Sequence, residues 1–248
     1  MRRSSRAGVT LIEITIAITL LSLLSLGMAI AIRVGLQAFA KTDAKLMDIR
    51  KITGAQNILH QELEGLIPVL AACGSNTVDN GFKAAFFQGE PAALRMVSSF
   101  SLQQGWRGEP QVLELFVIPG EDNGGVRLVV NESLYTGYLG AAHFCTGVTA
   151  DSDTGALLPR FVPVAAGPKS FVLADQLAYC RFSYYYPGNA LENKPPAWVT
   201  TWTVKGWPQA IRIEMAPLHP DPSRIQPITV TAPIHIRRDP EKKYEDAK

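Results

Sequence analysis

One carboxylate, Glu13, stands within an otherwise uncharged apolar run over residues 9–32. The ionised form of a carboxylic acid costs roughly 2.5–3.5 kcal/mol near the centre of a membrane-spanning helix, and less near the helix end. A cation at the same depth on a neighbouring helix lowers this cost, because each charge then offsets the burial of the other. The position of Glu13 therefore indicates a group that pairs with something outside its own helix.

The usual catalytic patterns are missing from the sequence. The four histidines are scattered, and none forms the HExxH spacing that places two imidazoles on one helix face. There is no GxSxG nucleophile elbow, no GxxxxGK[ST] phosphate loop and no GxGxxG dinucleotide motif. The sequence therefore predicts a protein that is not an enzyme, with no catalytic residues, no cofactor and no resident metal.

One short segment, DSDTG at residues 151–155, resembles the opening of a calcium-binding loop, since alternate oxygen ligands before a glycine can wrap a hard cation. An EF-hand loop requires glycine at its sixth position and a bidentate glutamate at its twelfth. This chain has Ala156 and Val162 there. The ligand set is incomplete, so calcium is the less favoured interpretation.

Three cysteines, Cys73, Cys145 and Cys180, lie far apart without a CxxC pair, which disfavours zinc and leaves either free thiols or one disulfide and a spare thiol. Cys180 alternates with Phe182 and Tyr184, a spacing typical of the buried face of a strand. Cys73 and Cys145 lie in loop-like sequence. An exported domain can oxidise its thiols, so we expect these two cysteines to pair if the domain is exported.

Aromatic residues are dense in the C-terminal part of the chain, at Tyr184, Tyr185, Tyr186, Trp198, Trp202 and Trp207. Such a cluster can serve as a platform for a glycan or peptide, but β-sheets use aromatic side chains mainly for packing. We therefore predict core residues with some exposure at the rim.

The sequence NES at 131–133 matches the N-glycosylation pattern, a match too short to predict modification.

The element that contains Glu13 is predicted to be a helix long enough to cross a membrane. At about 1.5 Å per residue, a helix over residues 9–32 spans the roughly 30 Å hydrocarbon layer with some tilt. Arg2, Arg3 and Arg6 precede it without an acid, which predicts a cytoplasmic N-terminus and a chain whose bulk lies outside. A secretory signal peptide is the competing interpretation, but it would have a shorter apolar region followed by a small-residue cleavage site.

The N-terminus resembles the class III leader and first helix of type IV pilins and pseudopilins: a short basic segment, Gly8, then VTLIE and an apolar helix. The resemblance implies that a prepilin peptidase cuts after Gly8 and that Val9 becomes the N-methylated first residue. Glu13 is then the fifth mature residue, whose carboxylate pairs with the α-amino group of a neighbouring subunit and sets the register of assembly. Glycine at position 8 suits a protease that grips extended backbone closely.

Past Arg33, apolar residues recur at three- and four-residue spacings, which predicts an amphipathic helix. They are Phe39, Leu46, Ile49, Ile52, Leu59, Leu63 and Leu66. We predict one continuous helix from about Thr10 to Leu66, stopped by Pro68 and the sequence ACGSN. An ordinary surface helix behind a membrane anchor would show the same stripe.

From residue 82 the hydrophobic period shortens towards two, and strands are predicted in AALRMVSSF, QVLELFVI, GVRLVV, QLAYCRFSYYY, QAIRIEM and PITVTAPIHIR. The segment PGEDNG between the second and third of these is typical of a hairpin turn. No helical pattern separates the strands, so we predict an antiparallel sheet. Residues 136–169 contain five glycines and little periodicity, which predicts an excursion with few hydrogen-bonded elements.

Composition narrows the class of protein. Of 248 residues, 47% are apolar, which indicates a folded core; the formal net charge is +2 without a basic block, which disfavours a nucleic-acid partner.

The segments FFQGEPAALRMVSS, ADQLAYCRFSYYY, AWVTTW and GWPQAIRIEM resemble the J-type minor pseudopilin of type II secretion and the W-type minor pilins. This narrower resemblance covers most of residues 9–236.

Together these resemblances imply an α+β, pilin-like fold with a spine helix packed on an antiparallel sheet. The predicted parts are a cleaved leader (1–8), a transmembrane half (9–32) and an amphipathic half (33–70) of the spine helix, a β-rich periplasmic head (71–238) and a charged tail (239–248).

The implied function is that of a structural subunit at or near the tip of a type II secretion pseudopilus, involved in protein export. Its partners would be other minor pseudopilins, the prepilin peptidase and the bacterial inner membrane, with the head in the periplasm. A minor pilin of a type IV pilus has the same leader. A membrane-anchored periplasmic binding domain or enzyme that uses the aromatic surface is the alternative from another class.

Overall fold

The computed structural model describes residues 10–74, 82–102, 106–121, 124–151, 155–189, 193–219, 227–236 and 240. The chain forms two compact units, Met1–Ile52 and Thr53–Lys248. The leader with Gly8, the residue Val9 and most of the tail at 239–248 lie outside the described residues, as do the central residues 152–154 of the DSDTG segment.

Helix α1 spans Leu11–Glu64. Within it, Leu11–Phe39 is the one segment in the described parts of the chain that is long and apolar enough to cross a membrane. The described side chains there are exposed, with Leu11 at 83% and Leu24 at 72% of their full accessibility. The predicted start of a long apolar helix is therefore confirmed.

The predicted end of α1 is wrong, because the helix stops at Glu64 and does not continue to Leu66 or residue 70. Leu66 forms an antiparallel bridge with Ser98, and the amide of Ile67 donates to the carbonyl of Val97 at 2.8 Å. Pro68 disfavours helical dihedrals at the residue before it, and Gly65 is a poor helix former, so the chain extends earlier than the apolar stripe indicated.

After α1, the described residues contain twelve strands: β1 Leu70–Cys73, β2 Phe82–Ala85, β3 Gln88–Gly89, β4 Ala93–Ser101, β5 Trp106–Pro119, β6 Val126–Leu134, β7 Cys145–Ala150, β8 Leu157–Phe161, β9 Phe171–Tyr186, β10 Ala197–Val199, β11 Ala210–Pro217 and β12 Ile228–Pro233. Eight of them form an antiparallel sheet in the order β12-β11-β9-β6-β5-β4-β3, with β10 beside β9. The α+β class and the β5–β6 hairpin, which pairs Pro119 with Val126, are confirmed.

The expectation of few regular elements in residues 136–169 is wrong. This excursion contains the short helix α2, Tyr138–Ala141, a 3₁₀ turn over Ala142–Phe144, and the antiparallel hairpin β7–β8. The register shifts between Cys145 and Gly147, whose φ is 152°. This irregularity masks the two-residue period by which a strand is recognised.

Strict alternation in the C-terminal strands separates a buried face from a more exposed one. Ile211, Ile213 and Met215 of β11 are buried and pair with Tyr184, Phe182 and Cys180 of β9, which are buried as well. The prediction that Cys180 points into the core is therefore confirmed.

A second apolar cluster includes Phe86, Val97 and Val112, and the excursion packs on it through Phe144 and Phe161.

Candidate functional site

Glu13 lies in the first turn of α1 and forms a reciprocal cap with Thr10. The Thr10 amide and hydroxyl donate to Oε2 of Glu13 at 3.0 and 3.2 Å, and the Glu13 amide donates to the Thr10 hydroxyl at 3.4 Å. This is a capping box, in which two amides that have no partner within the helix are satisfied. The T-x-x-E spacing that signals it is readable in the sequence, and the sequence analysis missed it.

The cap gives Glu13 a local role in addition to the predicted intermolecular one. A carboxylate at a helix N-terminus also interacts favourably with the helix dipole. A carboxylate has about four acceptor sites, so the two hydrogen bonds from Thr10 leave capacity to accept from a cation. The structure thus fixes the orientation of the carboxylate and leaves it exposed.

Three hydroxyl groups within the apolar segment are satisfied by the helix itself. Thr15, Thr19 and Ser22 donate to backbone carbonyls one turn earlier, at 2.9, 2.9 and 2.7 Å respectively. Lipid offers no hydrogen-bond partner, so a spanning helix must satisfy such groups internally. These three side chains are therefore compatible with a hydrocarbon environment.

The predicted cysteine pair is confirmed. Cys73, at the end of β1, and Cys145, at the start of β7, form a disulfide with Cα atoms 5.3 Å apart, and Cys180 is the free cysteine. The bond joins the excursion to the sheet β1–β2. Burial raises the pKa of the Cys180 thiol to about 12, so this thiol stays protonated and unreactive.

Arg95 of β4 is a buried cation at the centre of a polar network that the sequence analysis did not identify. Its Nε donates to Glu114 Oε1 at 2.7 Å, and its other nitrogens reach Gln88 Oε1 at 2.5 Å and the carbonyl of Val162 at 2.9 Å. The guanidinium also lies 5.4 and 5.5 Å from the ring centres of Phe144 and Phe161. Arg95 thus holds the excursion on the main sheet.

Asn131 completes this network from β6. Its amide donates to Glu114 Oε2 at 2.7 Å and to the carbonyl of Ala165 at 3.0 Å, and the Ser170 hydroxyl donates to its Oδ1. The sequon asparagine is therefore engaged in packing the excursion. A charged residue in the middle of each apolar strand, arginine in AALRMVSSF and glutamate in QVLELFVI, was the available signal for the network.

Of the six residues in the aromatic cluster, Tyr184 is buried and the other five are half-buried, so the prediction of core residues is confirmed for Tyr184 alone. Tyr184 is fully buried, its hydroxyl donates to the carbonyl of Glu90 at 2.9 Å, and its ring contacts Phe87 edge-on at 5.7 Å between centres. At the half-buried rim, Trp198 lies 5.4 Å from the ring of Tyr185 and 3.8 Å from the guanidinium of Arg212. Trp202 and Phe87 also line an open cleft of about 280 Å³.

Metal binding gains no support from the described ranges, where no group of three or more His, Cys, Asp or Glu side chains is placed to hold an ion. The described ends of the DSDTG segment close the β7–β8 hairpin. The amide of Gly155 donates to the carbonyl of Asp151 at 2.9 Å, and the amide of Asp151 donates to that of Ala156 at 2.8 Å.

In comparisons with known proteins, no family model matches the chain and no curated protein matches it.

Proposed function

We propose that the chain is a pilin-like structural subunit, a minor pseudopilin of the type II secretion kind. A prepilin peptidase would remove its leader, and α1 would hold it in the bacterial inner membrane before assembly. One observation supports the proposal most strongly. In the sequence, Gly8 and VTLIE stand at the start of the exposed apolar helix Leu11–Phe39, and the first turn of this helix contains its acid, Glu13.

The exposed apolar surface of this segment is expected to be covered by lipid or by another protein. Leucine and isoleucine side chains from Leu11 to Leu36 are mostly more than half exposed. Apolar area in water costs roughly 25 cal/mol per Å², and exposed apolar patches of this extent are typical of surfaces that meet lipid or a partner. A pilin-like subunit meets both in turn, first the bilayer and then the neighbouring spine helices.

Orientation is supported by two independent features. Arg2, Arg3 and Arg6 favour a cytoplasmic N-terminus. The Cys73–Cys145 disulfide favours an oxidising compartment for the head, such as the periplasm. Both features agree with a single-pass protein whose head is exported.

Glu13 would connect processing to assembly. Cleavage after Gly8 creates a cationic amine at Val9, and the carboxylate of Glu13 on a neighbouring subunit can pair with it in the apolar interior of the filament. The capping box keeps the carboxylate at the very start of α1, beside the position of the new terminus.

The test is co-purification from detergent-solubilised membranes of the native host, with pilin-like proteins of that host as the recovered partners. We expect Glu13→Ala to be cleaved and inserted normally, because the scissile bond lies four residues earlier, but to lose at least tenfold in partner recovery. Glu13→Asp should retain part of the association, since the charge remains on a shorter side chain.

Thr10→Ala is the matched control, because it removes the hydroxyl half of the capping box and keeps the carboxylate. Near-normal recovery with Thr10→Ala alongside the loss with Glu13→Ala would assign the effect to the charge. Undiminished recovery with Glu13→Ala, or equal losses in both variants, would contradict the pairing role.

A further inference from the structure

Glu62 lies in the last turn of α1, and its side chain is fully buried. Neither carboxylate oxygen has a hydrogen-bond partner among the described residues. The nearest hydroxyl, Ser98, donates to the backbone carbonyl of Glu62 at 3.2 Å and accepts from the amide of Phe100 at 3.1 Å. A hydroxyl has one proton to donate, so Ser98 can donate to the carboxylate only by giving up its bond to that carbonyl.

The surroundings of Glu62 disfavour a negative charge. On its own helix, Leu59 and Leu63 are fully buried, β4 contributes the neutral Ser98, and β6 contributes Glu132, a second carboxylate at 8% exposure. Burial raises the pKa of the Glu62 carboxyl to about 8, opposed in part by Ser98 and reinforced by the charge of Glu132. Glu62 therefore holds a proton at neutral pH.

The end of α1 is attached to the sheet at its last residues. The amide of Ser99 donates to the carbonyl of Gly65 at 2.7 Å, and the approach is so close that a Cβ at position 65 would lie 2.7 Å from the Ser98 hydroxyl oxygen. Ser98 and Glu62 thus meet where α1 joins β4.

The other flank of this helix end is polar and open. Gln56, Asn57, His60 and Gln61 line a groove towards Thr229 and Thr231 of β12. His60 pairs with Glu64 at 3.4 Å on this side, where both side chains are well exposed. This flank of the helix end is therefore open to solvent, whereas the opposite flank with Glu62 is buried.

We propose that residues 54–66 form an acid-tightened latch, in which the neutral carboxylic acid of Glu62 allows the end of α1 to dock on β4 and β6, and a rise in pH weakens the docking. The latch belongs to the unit Thr53–Lys248 and does not depend on the function proposed for the whole chain.

The sign follows from the two states of Glu62. When the helix end is detached, the carboxyl is in water with its ordinary pKa of 4.5, and when docked its pKa is about 8. The docked state therefore binds the proton more tightly. Docking is strongest below about pH 4.5, weakens about tenfold for each pH unit up to about 8, and is constant above that.

Amide hydrogen exchange of the full chain in detergent, measured by mass spectrometry between pH 5 and 8, tests the latch. Protection factors already correct for the chemical pH dependence of exchange. We expect those of residues 58–66 to fall about tenfold per pH unit in the wild type and to stay constant in Glu62→Gln, which cannot ionise. Glu64→Gln, on the exposed flank of the same turn, should keep the wild-type slope.

Glu132→Gln provides a second variant that keeps Glu62, and its fall in protection should end at a lower pH. The latch is contradicted if wild-type protection is independent of pH, or if Glu62→Gln keeps the slope. It is also contradicted if amides of β11 show the same slope, because the pH dependence would then belong to global unfolding.

Discussion

Glu114 and Glu62 are both buried carboxylates of the head, and the fold treats them in opposite ways. Glu114 accepts from Arg95 and from Asn131, each at 2.7 Å, so its charge is balanced inside the protein. Glu62 has no donor among the described residues, and a proton takes the place of the missing cation. Burial alone does not decide the charge state of an acid; the donors buried with it do.

Glu13 extends the comparison to the first unit. It is exposed, and its hydrogen bonds come from Thr10 within its own turn. The head contains the cation and donors that Glu114 requires, whereas the apolar helix shows no cation near Glu13 within the described ranges. Under the proposed function, the α-amino group of a neighbouring subunit would supply that cation.

The largest effect is expected from removing the cation of Glu114, which would give it surroundings like those of Glu62. Breaking a buried pair typically costs about 3–5 kcal/mol, so Arg95→Met should lower the free energy of unfolding by that amount at neutral pH. Chemical denaturation of the full chain in detergent measures it. The control is Arg127→Met, which removes surface pairs with Glu121 and Asp175 and should change stability little. A similar loss of stability in both variants would contradict the claim that Arg95 balances the buried charge of Glu114.

The excursion, which packs over Glu114, is also attached by a disulfide bond, unlike the end of α1 that contains Glu62. The disulfide closes a loop with a sequence separation of 72, which stabilises by about 4 kcal/mol in the chain-entropy picture. The double variant Cys73→Ser, Cys145→Ser should lose stability of this order, while Cys180→Ala keeps the disulfide and its contribution. Peptide mapping without reduction that finds three free thiols would contradict the pairing.

A smaller effect is expected from removing the acid of Glu62. At pH 8, Glu62→Gln abolishes the linkage penalty but buries an amide without partners, so we expect a net gain of about 1–2 kcal/mol, or a few degrees in Tm. At pH 5 the gain should disappear, because this pH is close to the ordinary carboxyl pKa of 4.5 and little of the linkage penalty remains. Glu64→Gln should show no such difference, and equal Tm values for Glu62→Gln and wild type at pH 8 would count against a protonated Glu62.

Sequence reasoning succeeded where the signal is local. The apolar run from Leu11 and the alternation in β11 and β12 each reflect one element meeting one environment, so periodicity identified them. It failed where the outcome depends on a partner distant in sequence. Arg95 meets Glu114 and the carbonyl of Val162 only after the excursion folds back. The raised pKa of Glu62 likewise reflects its burial against β4 and β6, whose described residues place no cation beside it.

The end of α1 shows the same limit. The stripe that includes Leu66 predicted continued helix, but the bridge between Leu66 and Ser98 and the hydrogen bond from Ile67 to Val97 give the extended chain a partner on β4. Tertiary contacts therefore decided the boundary, and Pro68 only limited where it could lie.

Cleavage after Gly8 tests the pilin-like assignment most directly. Intact-mass measurement and N-terminal sequencing of the chain, recovered from membranes of a host with an active prepilin peptidase, should give a protein that begins at N-methylated Val9 and lacks Arg2, Arg3 and Arg6. A Gly8→Leu variant, whose side chain obstructs the protease, should keep its full leader. A wild-type chain that still begins with the arginine-containing leader, while a known prepilin in the same cells is cut, would contradict the assignment.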